Sequence, residues 1–221
     1  MLIQEAQWFA EQLALLEPRQ VFPMCNVGSS TEAFRTRDQP WIDRLIFAPA
    51  RHRGQVVKHL DMQSAPGVDI VGDLCEPEFL ARIAQMQFRS VFCSNLLEHV
   101  VQREAICHTL LAIIPVGGYL FLSTPCCFPY HPDPIDTGFR PTIGELAALF
   151  PGTRQIAASV VVGQTLLGMR TQDPVVFAFT LVRCLFPMYK PVAWWRNRGY
   201  LPWFHRRLTA SCVILRKEAT T

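Results

Sequence analysis

Residues 91–100 read VFCSNLLEHV. Val91, Phe92 and Cys93 are a short apolar run of the kind that fills a buried strand. Ser94-Asn95 makes a polar turn, and from Leu96 the apolar spacing becomes helical. Leu97, Val101, Ala105 and Leu111 fall near one helical face, with Glu98, Gln102, Arg103 and Glu104 largely on the other. The pattern predicts a helix that continues to Pro115. Val116-Gly117-Gly118 then turns the chain into a second strand, YLFLST at 119–124. Strand, turn, helix, glycine turn and strand form a βαβ unit. Such a unit predicts a parallel sheet with a right-handed crossover, because a right-twisted strand feeding a right-handed helix packs back only that way. Ligands of these sheets sit outside the carboxyl ends of the strands. Ser94, Asn95, Glu98 and His99 therefore share one rim with the segment after Thr124, PCCFPYHPDPIDTGFRPT.

Upstream, residues 3–16 read as an amphipathic helix with Ala6, Phe9, Leu13 and Leu16 on one face, ended by Pro18. VFPMCNV at 21–27 is the first strand candidate, although Pro23 cannot donate to a ladder. Gly28-Ser29-Ser30-Thr31 follows it. A glycine there lets backbone approach a ligand, and the hydroxyls can hydrogen-bond it; an ordinary strand-to-helix turn has the same composition. Residues 35–54 carry Pro40, Pro49 and several charges, and read as a loop with one short helix. A strand at 56–60 ends at Asp61, whose carboxylate can take two donors at once or cap a helix. Val68, Ile70 and Val71 suit a strand ending in the turn Gly72-Asp73, and 76–86 is a helix with Pro77 in its first turn. Downstream, QIAASVVV at 155–162 and SCVIL at 211–215 are the last two strands, separated by a long insertion at 163–207.

A chain of 221 residues, half of them hydrophobic, is one domain with a large core. Its eight cysteines contain no C-x-x-C pair, which excludes a zinc ribbon, and several sit in apolar runs as buried thiols do. The N-terminus carries Glu5 and Glu11 and lacks the basic region of a secretory leader. These features point to a reducing, cytoplasmic setting. No uninterrupted apolar run reaches the ~20 residues of a membrane span. The net charge of +3 conceals an asymmetry. Positions 174–217 hold eight Lys or Arg and no acid, leaving 13 basic against 18 acidic residues elsewhere, so the C-terminal part is a different surface.

On the rim, His131 lies in the loop after the fifth strand with Asp133, Asp136 and Arg140 close by. His131 with Asp133 or Asp136 makes a base oriented by a carboxylate. The plainer reading is an Asp136–Arg140 ion pair that fixes a proline-rich loop with His131 packed against it. His99 reads as a helix anchor or a pocket residue. A metal site from His131, Asp133 and Asp136 is disfavoured, because no second His or Cys stands at ligand spacing, and no metal is expected.

Taken in order, NLLEHV, PVGGYLFLSTP and YHPDPIDTGFRPT resemble the second half of a class I S-adenosylmethionine-dependent methyltransferase of the methyltransferase type 11 kind. The resemblance spans residues 21–150. It implies an α/β, Rossmann-like fold: a mostly parallel seven-stranded sheet flanked by helices, ending in an antiparallel hairpin, here with the helical insertion before the last strand. It implies S-adenosyl-L-methionine as cofactor. The matching cofactor positions are Gly28, Ser29 and Ser30 in the first loop, Asp61 for the ribose, Asp73 and Leu74 near the adenine, and Ser94, Asn95 and Leu96 after the fourth strand. His131 is the matching candidate for the catalytic base. The first loop departs from the family pattern: Asn26-Val27-Gly28-Ser29-Ser30 has one glycine, and Asn26 stands where an acid is usual. Two functions follow, a methyltransferase acting on a small molecule, sugar or lipid-linked acceptor, or a methyltransferase-like binding or scaffold domain without catalysis.

The insertion is the other distinctive stretch. VVFAFTLVRCLF at 175–186 reads as an apolar helix, and Trp194, Trp195, Tyr200, Trp203 and Phe204 are interleaved with Lys190, Arg196, Arg198, Arg206 and Arg207. Aromatic and basic residues without acids suit a peripheral membrane contact through 175–207. The alternative is a helical cap that buries its aromatics on the sheet or in a homodimer contact. Stacking on single-stranded nucleic acid is disfavoured, since the apolar helix suits lipid better than RNA.

Overall fold

A computed structural model of the chain describes residues 1–131, 135–165, 168, 178, 182, 186, 188, 191–197 and 201–219. The apolar helix expected at 175–186 lies largely outside the described residues, as do Asp133, Lys190, Arg198 and Tyr200.

Seven strands form one sheet: β1 (Met24–Val27), β2 (Val57–Asp61), β3 (Ile70–Val71), β4 (Ser90–Ser94), β5 (Tyr119–Cys127), β6 (Thr153–Thr165) and β7 (Arg207–Lys217). Their order is β3-β2-β1-β4-β5-β7-β6. The first five pair in parallel, and β7 runs antiparallel to both β5 and β6. Helices α1 (Ile3–Ala14), α2 (Pro77–Ala84), α3 (Arg103–Ile113), α4 (Ile143–Ala148) and α5 (Pro191–Arg196) accompany it.

Alternation along the strands sorts their side chains to two faces. Phe92 is in register with Phe121, which aligns the two central strands residue by residue. Val91, Cys93, Leu120, Leu122, Val213 and Leu215 join Phe79 and Ile83 of α2, Ile106 and Leu110 of α3 and Leu146 of α4. Phe92, Tyr119, Phe121, Cys212 and Ile214 face the other way, toward Ala6 and Phe9 of α1 and toward Ile42, Ile46 and Phe47. Burial on both faces explains why the central strands are almost continuously apolar.

Three expectations change. The predicted helix after β4 is broken. A single 3-10 turn, Leu97–His99, is followed by an extended Val100, and α3 begins only at Arg103. The carbonyls that would continue the helix are taken by tertiary donors. Arg103 Nε donates to the Leu97 carbonyl at 3.1 Å, and Thr137 donates its N–H and its hydroxyl to the Glu98 carbonyl, each at 2.9 Å. The break shifts the helical phase, so Val101 is 76% exposed and Ala105 is exposed, while Ile106 and Leu110 face the core.

The second change is at 34–52, which is helical nearly throughout: Phe34–Asp38, Pro40–Ile42, Asp43–Phe47 and Ala48–His52. Pro40 and Pro49 stand in the first turns of their segments, where the absent N–H would have no partner anyway, so they start helices rather than interrupt them. Third, β1 begins after Pro23, β3 is only two residues long, and β5, β6 and β7 extend beyond the stretches read from sequence.

Phe9 is the largest apolar contact of α1 with the sheet. Its ring meets Phe92 edge-on at 4.9 Å, and Phe92 in turn meets Phe47 at 5.5 Å. Phe9→Ala should cost ~3–5 kcal/mol, since it removes a fully buried ring and leaves a cavity. Urea unfolding of the variant against the parent checks this; a loss under ~1 kcal/mol would mean that α1 docks by other contacts.

Candidate functional site

The strand order reverses about β1, which pairs with β2 on one side and β4 on the other. The loops leaving these strands diverge and open a crevice at their carboxyl ends. It holds a cavity of about 900 Å³, within the range of small-molecule sites. Gly28, Ser29 and Ser30 line it from the first loop, and Asp61, Asp73 and Leu74 from the β2 and β3 ends. Ser94, Asn95 and Leu96 line it from the β4 end. The nine residues singled out in sequence for a cofactor thus surround one cavity.

The local conformations explain several residue types. Gly28 has φ +67, and a Cβ built on it would stand 2.9 Å from Cδ1 of Leu96. Its backbone conformation favours glycine, and any side chain there would displace the tip of Leu96. Ser30 and Asn95 are also left-handed, at φ 54 and 51, a conformation non-glycine residues rarely adopt. Ser30 is held there by Asp61, whose Oδ2 accepts the Ser30 N–H at 2.8 Å while Oδ1 accepts the Gln63 N–H at 3.1 Å. A carboxylate offers about four lone-pair sites, so Asp61 keeps capacity for two more donors. Asp73 Oδ1 caps the following turn through the Cys75 N–H at 2.8 Å.

Asn26, in place of an acid, turns its amide to His59 Nδ1 at 3.0 Å. Burial, helped by the charge of Arg35, drives the His59 pKa down to about 4, so the ring is neutral and can accept that bond. Arg35 went unnoticed in the sequence, inside a stretch read as loop. It is only 3% exposed and donates to the carbonyls of Ser29 (2.8 Å), Ser30 (2.6 Å) and Gly67 (2.7 Å). Burial lowers its pKa, yet a guanidinium starts high enough to remain charged. It puts a cation under the first loop with carbonyls, not a carboxylate, as its bonded partners.

Glu5 was also missed as a site residue. It is 1% exposed, and its Oε1 accepts from Ser94 Oγ (3.1 Å), Asn95 Nδ2 (2.8 Å) and Ser123 Oγ (2.5 Å). Helix α1 is thereby bonded across the ends of β4 and β5. The signal was available: Glu5 shares the inward face of α1 with Leu2 and Phe9, where an acid is out of place.

The loop after β5 carries the expected ion pair and the expected His–Asp contact in one assembly. Arg140 grips Asp136 with two bonds, Nη1–Oδ1 at 3.1 Å and Nη2–Oδ2 at 2.6 Å, and Gly138 N–H adds a third at 2.8 Å. His131 N–H donates to Asp136 Oδ2 at 2.9 Å, and His131 Nδ1 lies 3.2 Å from the same oxygen and 3.1 Å from the Pro129 carbonyl. Burial alone would raise the Asp136 pKa, but the Arg140 and N–H bonds outweigh it and bring it down to about 2. Burial lowers the His131 pKa, so its imidazole is neutral near pH 7. His131 is not among the residues that line the cavity; His99 is, with its ring 5.3 Å from that of His131 and nearly perpendicular. His99 Nδ1 bonds the Ile135 carbonyl. The insertion is pinned to the same loop: Asn197 accepts the Tyr130 N–H at 2.7 Å and donates to the Tyr130 carbonyl at 3.0 Å.

Glu98 read from sequence as part of a polar helix face. The broken helix turns it inward instead, where it is 0% exposed. Neither carboxylate oxygen has a hydrogen-bond partner among the described residues. Burial raises its pKa to about 7.

No protein-family model matches this sequence, and no curated protein matches it. Solved structures do. A SAM-dependent methyltransferase from Anabaena variabilis aligns with TM-score 0.56 and 12% identity, over 96% of this chain and 83% of that one. MccD protein aligns with TM-score 0.55 and 11% identity, over 97% and 96%. Coclaurine N-methyltransferase, bound to N-methylheliamine and SAH, aligns with TM-score 0.53 and 12% identity, over 96% and 69%. The chain has the Rossmann-like fold of class I methyltransferases.

The raised pKa of Glu98 has a sign that can be tested. Between pH 4.5 and about 7 the folded protein keeps the Glu98 proton and the unfolded chain does not, so stability falls as pH rises through this window. The rise from 4.5 to about 7 corresponds to ~3 kcal/mol, fully lost above the window. Glu98→Gln should remove that loss. Urea unfolding of both proteins at pH 5 and pH 8, with EDTA present so that no cation neutralises the carboxylate, should show the variant gaining on the parent by up to ~3 kcal/mol at pH 8. Equal pH dependence in the two would refute the assignment.

Proposed function

We propose that this protein is an S-adenosylmethionine-dependent methyltransferase acting on a small-molecule, sugar or lipid-linked acceptor. The observation that carries the reading is the cavity at the β1/β4 switch point, with Asp61 at its rim and the Gly28 loop at its floor. The residues fit the cofactor. Gly28 and Leu96 pack closely together in the cavity lining, so the first loop and the β4 end form one continuous wall. Asp61 retains acceptor capacity for ribose hydroxyls, and Arg35 offers positive charge toward a carboxylate. The cofactor, when bound, supplies a methyl group already activated on a sulfonium.

The chain's own part is to bind, align and exclude water, and for a hydroxyl acceptor to take a proton. In this reading Gly28, Ser29, Ser30, Asp61, Asp73, Leu74, Ser94, Asn95 and Leu96 hold the cofactor. His131, neutral and oriented by Asp136, takes the proton. Titration with S-adenosylhomocysteine tests the reading: stoichiometric heat is expected, and none at high concentration would favour a non-catalytic binding domain. Asp61→Asn should weaken that binding by ~1.5–3 kcal/mol, roughly ten- to a hundredfold, with an unchanged circular dichroism spectrum. An unchanged dissociation constant would remove Asp61 from the site.

The acceptor side supports a bilayer-bound substrate. In α5, Ala193 is buried, as is Asn197 just beyond its end, while Val192 and Trp195 (78% exposed) point outward, near in sequence to Phe186 and Met188 (89% exposed). No helix among the described residues is long and apolar enough to cross a membrane, so such contact would be peripheral. Each basic residue near an anionic surface contributes about 1 kcal/mol, and the term fades with salt. Co-sedimentation with anionic vesicles should therefore be strong at low salt and lost when Arg196, Arg198, Arg206 and Arg207 are all changed to Gln. Protein that stays in the supernatant at low salt would point to a subunit contact instead.

A further inference from the structure

We propose that Glu98, His99 and His131 form a binding site for a first-row divalent transition-metal ion. One ligand atom from each of the three lies within 4.8 Å of the others, and His99 Nε2 is 3.7 Å from Glu98 Oε1. Ligands at roughly 2.1 Å from a common ion in tetrahedral geometry stand about 3.4 Å apart, so the widest pair closes by up to about 1.4 Å, a side-chain adjustment, when the ion binds.

Three features separate this cluster from a chance meeting of polar groups. Glu98 is fully buried, and neither oxygen has a hydrogen-bond partner among the described residues, a costly state that a cation would relieve. Both imidazoles have Nδ1 engaged by oxygen: His99 with the Ile135 carbonyl, His131 with the Pro129 carbonyl and Asp136. That pattern fixes the tautomer and leaves Nε2 free to ligate, as the outer partners of metal-bound histidines do. Asp136 is itself locked by Arg140 and by two N–H groups, so the outer partner is rigid.

Two imidazole nitrogens and one carboxylate select Mn, Fe, Co, Ni or Zn over Mg or Ca, which prefer oxygen cages. Three protein ligands leave coordination positions open. His99 lines the cavity, so one ligand of the ion borders it, and the open positions would take water or an acceptor oxygen. The site goes beyond the proposed methyl transfer: with the ion in place His131 is a ligand, and polarisation of an acceptor hydroxyl passes from His131 to the metal. The sequence concealed the arrangement, since Glu98-His99 and His131 stand on two different rim segments.

The test uses the full chain, freed of any affinity tag and dialysed against EDTA. Addition of Co²⁺ should produce visible d–d absorption saturating at one equivalent, and Zn²⁺ titration should show one site by heat. Removing an outer-shell partner typically costs 10–100-fold in affinity, so losing a ligand should cost more than about 100-fold. Glu98→Gln, isosteric and free of the buried charge, and His131→Ala should each reach that loss. S-Adenosylhomocysteine is titrated into the same preparation. Metal binding without cofactor heat would sink the methyltransferase reading and leave the site standing. Cofactor heat with no cobalt spectrum and no zinc heat would overturn the site, as would cobalt affinity unchanged in Glu98→Gln.

Discussion

The parallel pairing of β1 with both β2 and β4 is the constraint on which the site depends. Both neighbours run in the same direction while the strand order reverses at β1, so the connections from β1 and β4 leave to opposite sides and a gap opens between their loops. The first loop has to bend back immediately, which the chain achieves with left-handed Gly28 and Ser30. Each bend is held from a different element: Leu96 packs where a Gly28 side chain would lie, Asp61 of β2 grips the Ser30 N–H, and Arg35 collects the Ser29 and Ser30 carbonyls. A loop with one glycine thus has a cradle's shape through tertiary bonds, where a glycine-rich loop would rely on its own backbone freedom.

Two glutamates buried near the rim show how differently one residue type can be used. Glu5 receives three side-chain donors on one oxygen and the Leu2 N–H on the other. Such a satisfied carboxylate is a fastener, joining α1 to the ends of β4 and β5. Glu98 receives none from the described residues. The fold has every means to satisfy it, since Thr137 and Arg103 are already bonded to carbonyls at the same turn. Their donors go to the backbone instead, which breaks the helix and turns the Glu98 carboxylate toward the histidines. An unpartnered buried carboxylate costs stability, and a cost of this kind persists where the group serves something other than folding.

Much of the fold was legible because its signals are local. The apolar runs of β4 and β5, the Val116-Gly117-Gly118 turn and the last two strands are properties of short windows. The cavity residues were named through the family resemblance, which places cofactor contacts at the strand ends where these residues stand. The helical run at 34–52 was not legible, because Pro40 and Pro49 look like breakers until their places in the first turn are known. Arg35, Glu5 and Glu98 were hidden for a deeper reason. Their meaning lies in partners far along the chain, and a charged residue in sequence reads as solvated by default. Asp136 and Arg140 were the exception, being close enough to be read as a pair.

The insertion gains its significance from where it is tied. Asn197 exchanges two hydrogen bonds with the Tyr130 backbone, and the Arg196 guanidinium lies 4.6 Å from the centre of the Tyr130 ring. Tyr130 directly precedes His131, so α5 and the histidine share a short rigid segment. The buried side of α5, at Ala193 and Asn197, is spent on this attachment, which leaves Val192 and Trp195 facing outward. The outward face of α5 is thus joined to the loop that carries His131 by two hydrogen bonds and a ring contact. In the proposed reading, the surface that meets a bilayer and the histidine that takes the proton are tied together through Tyr130.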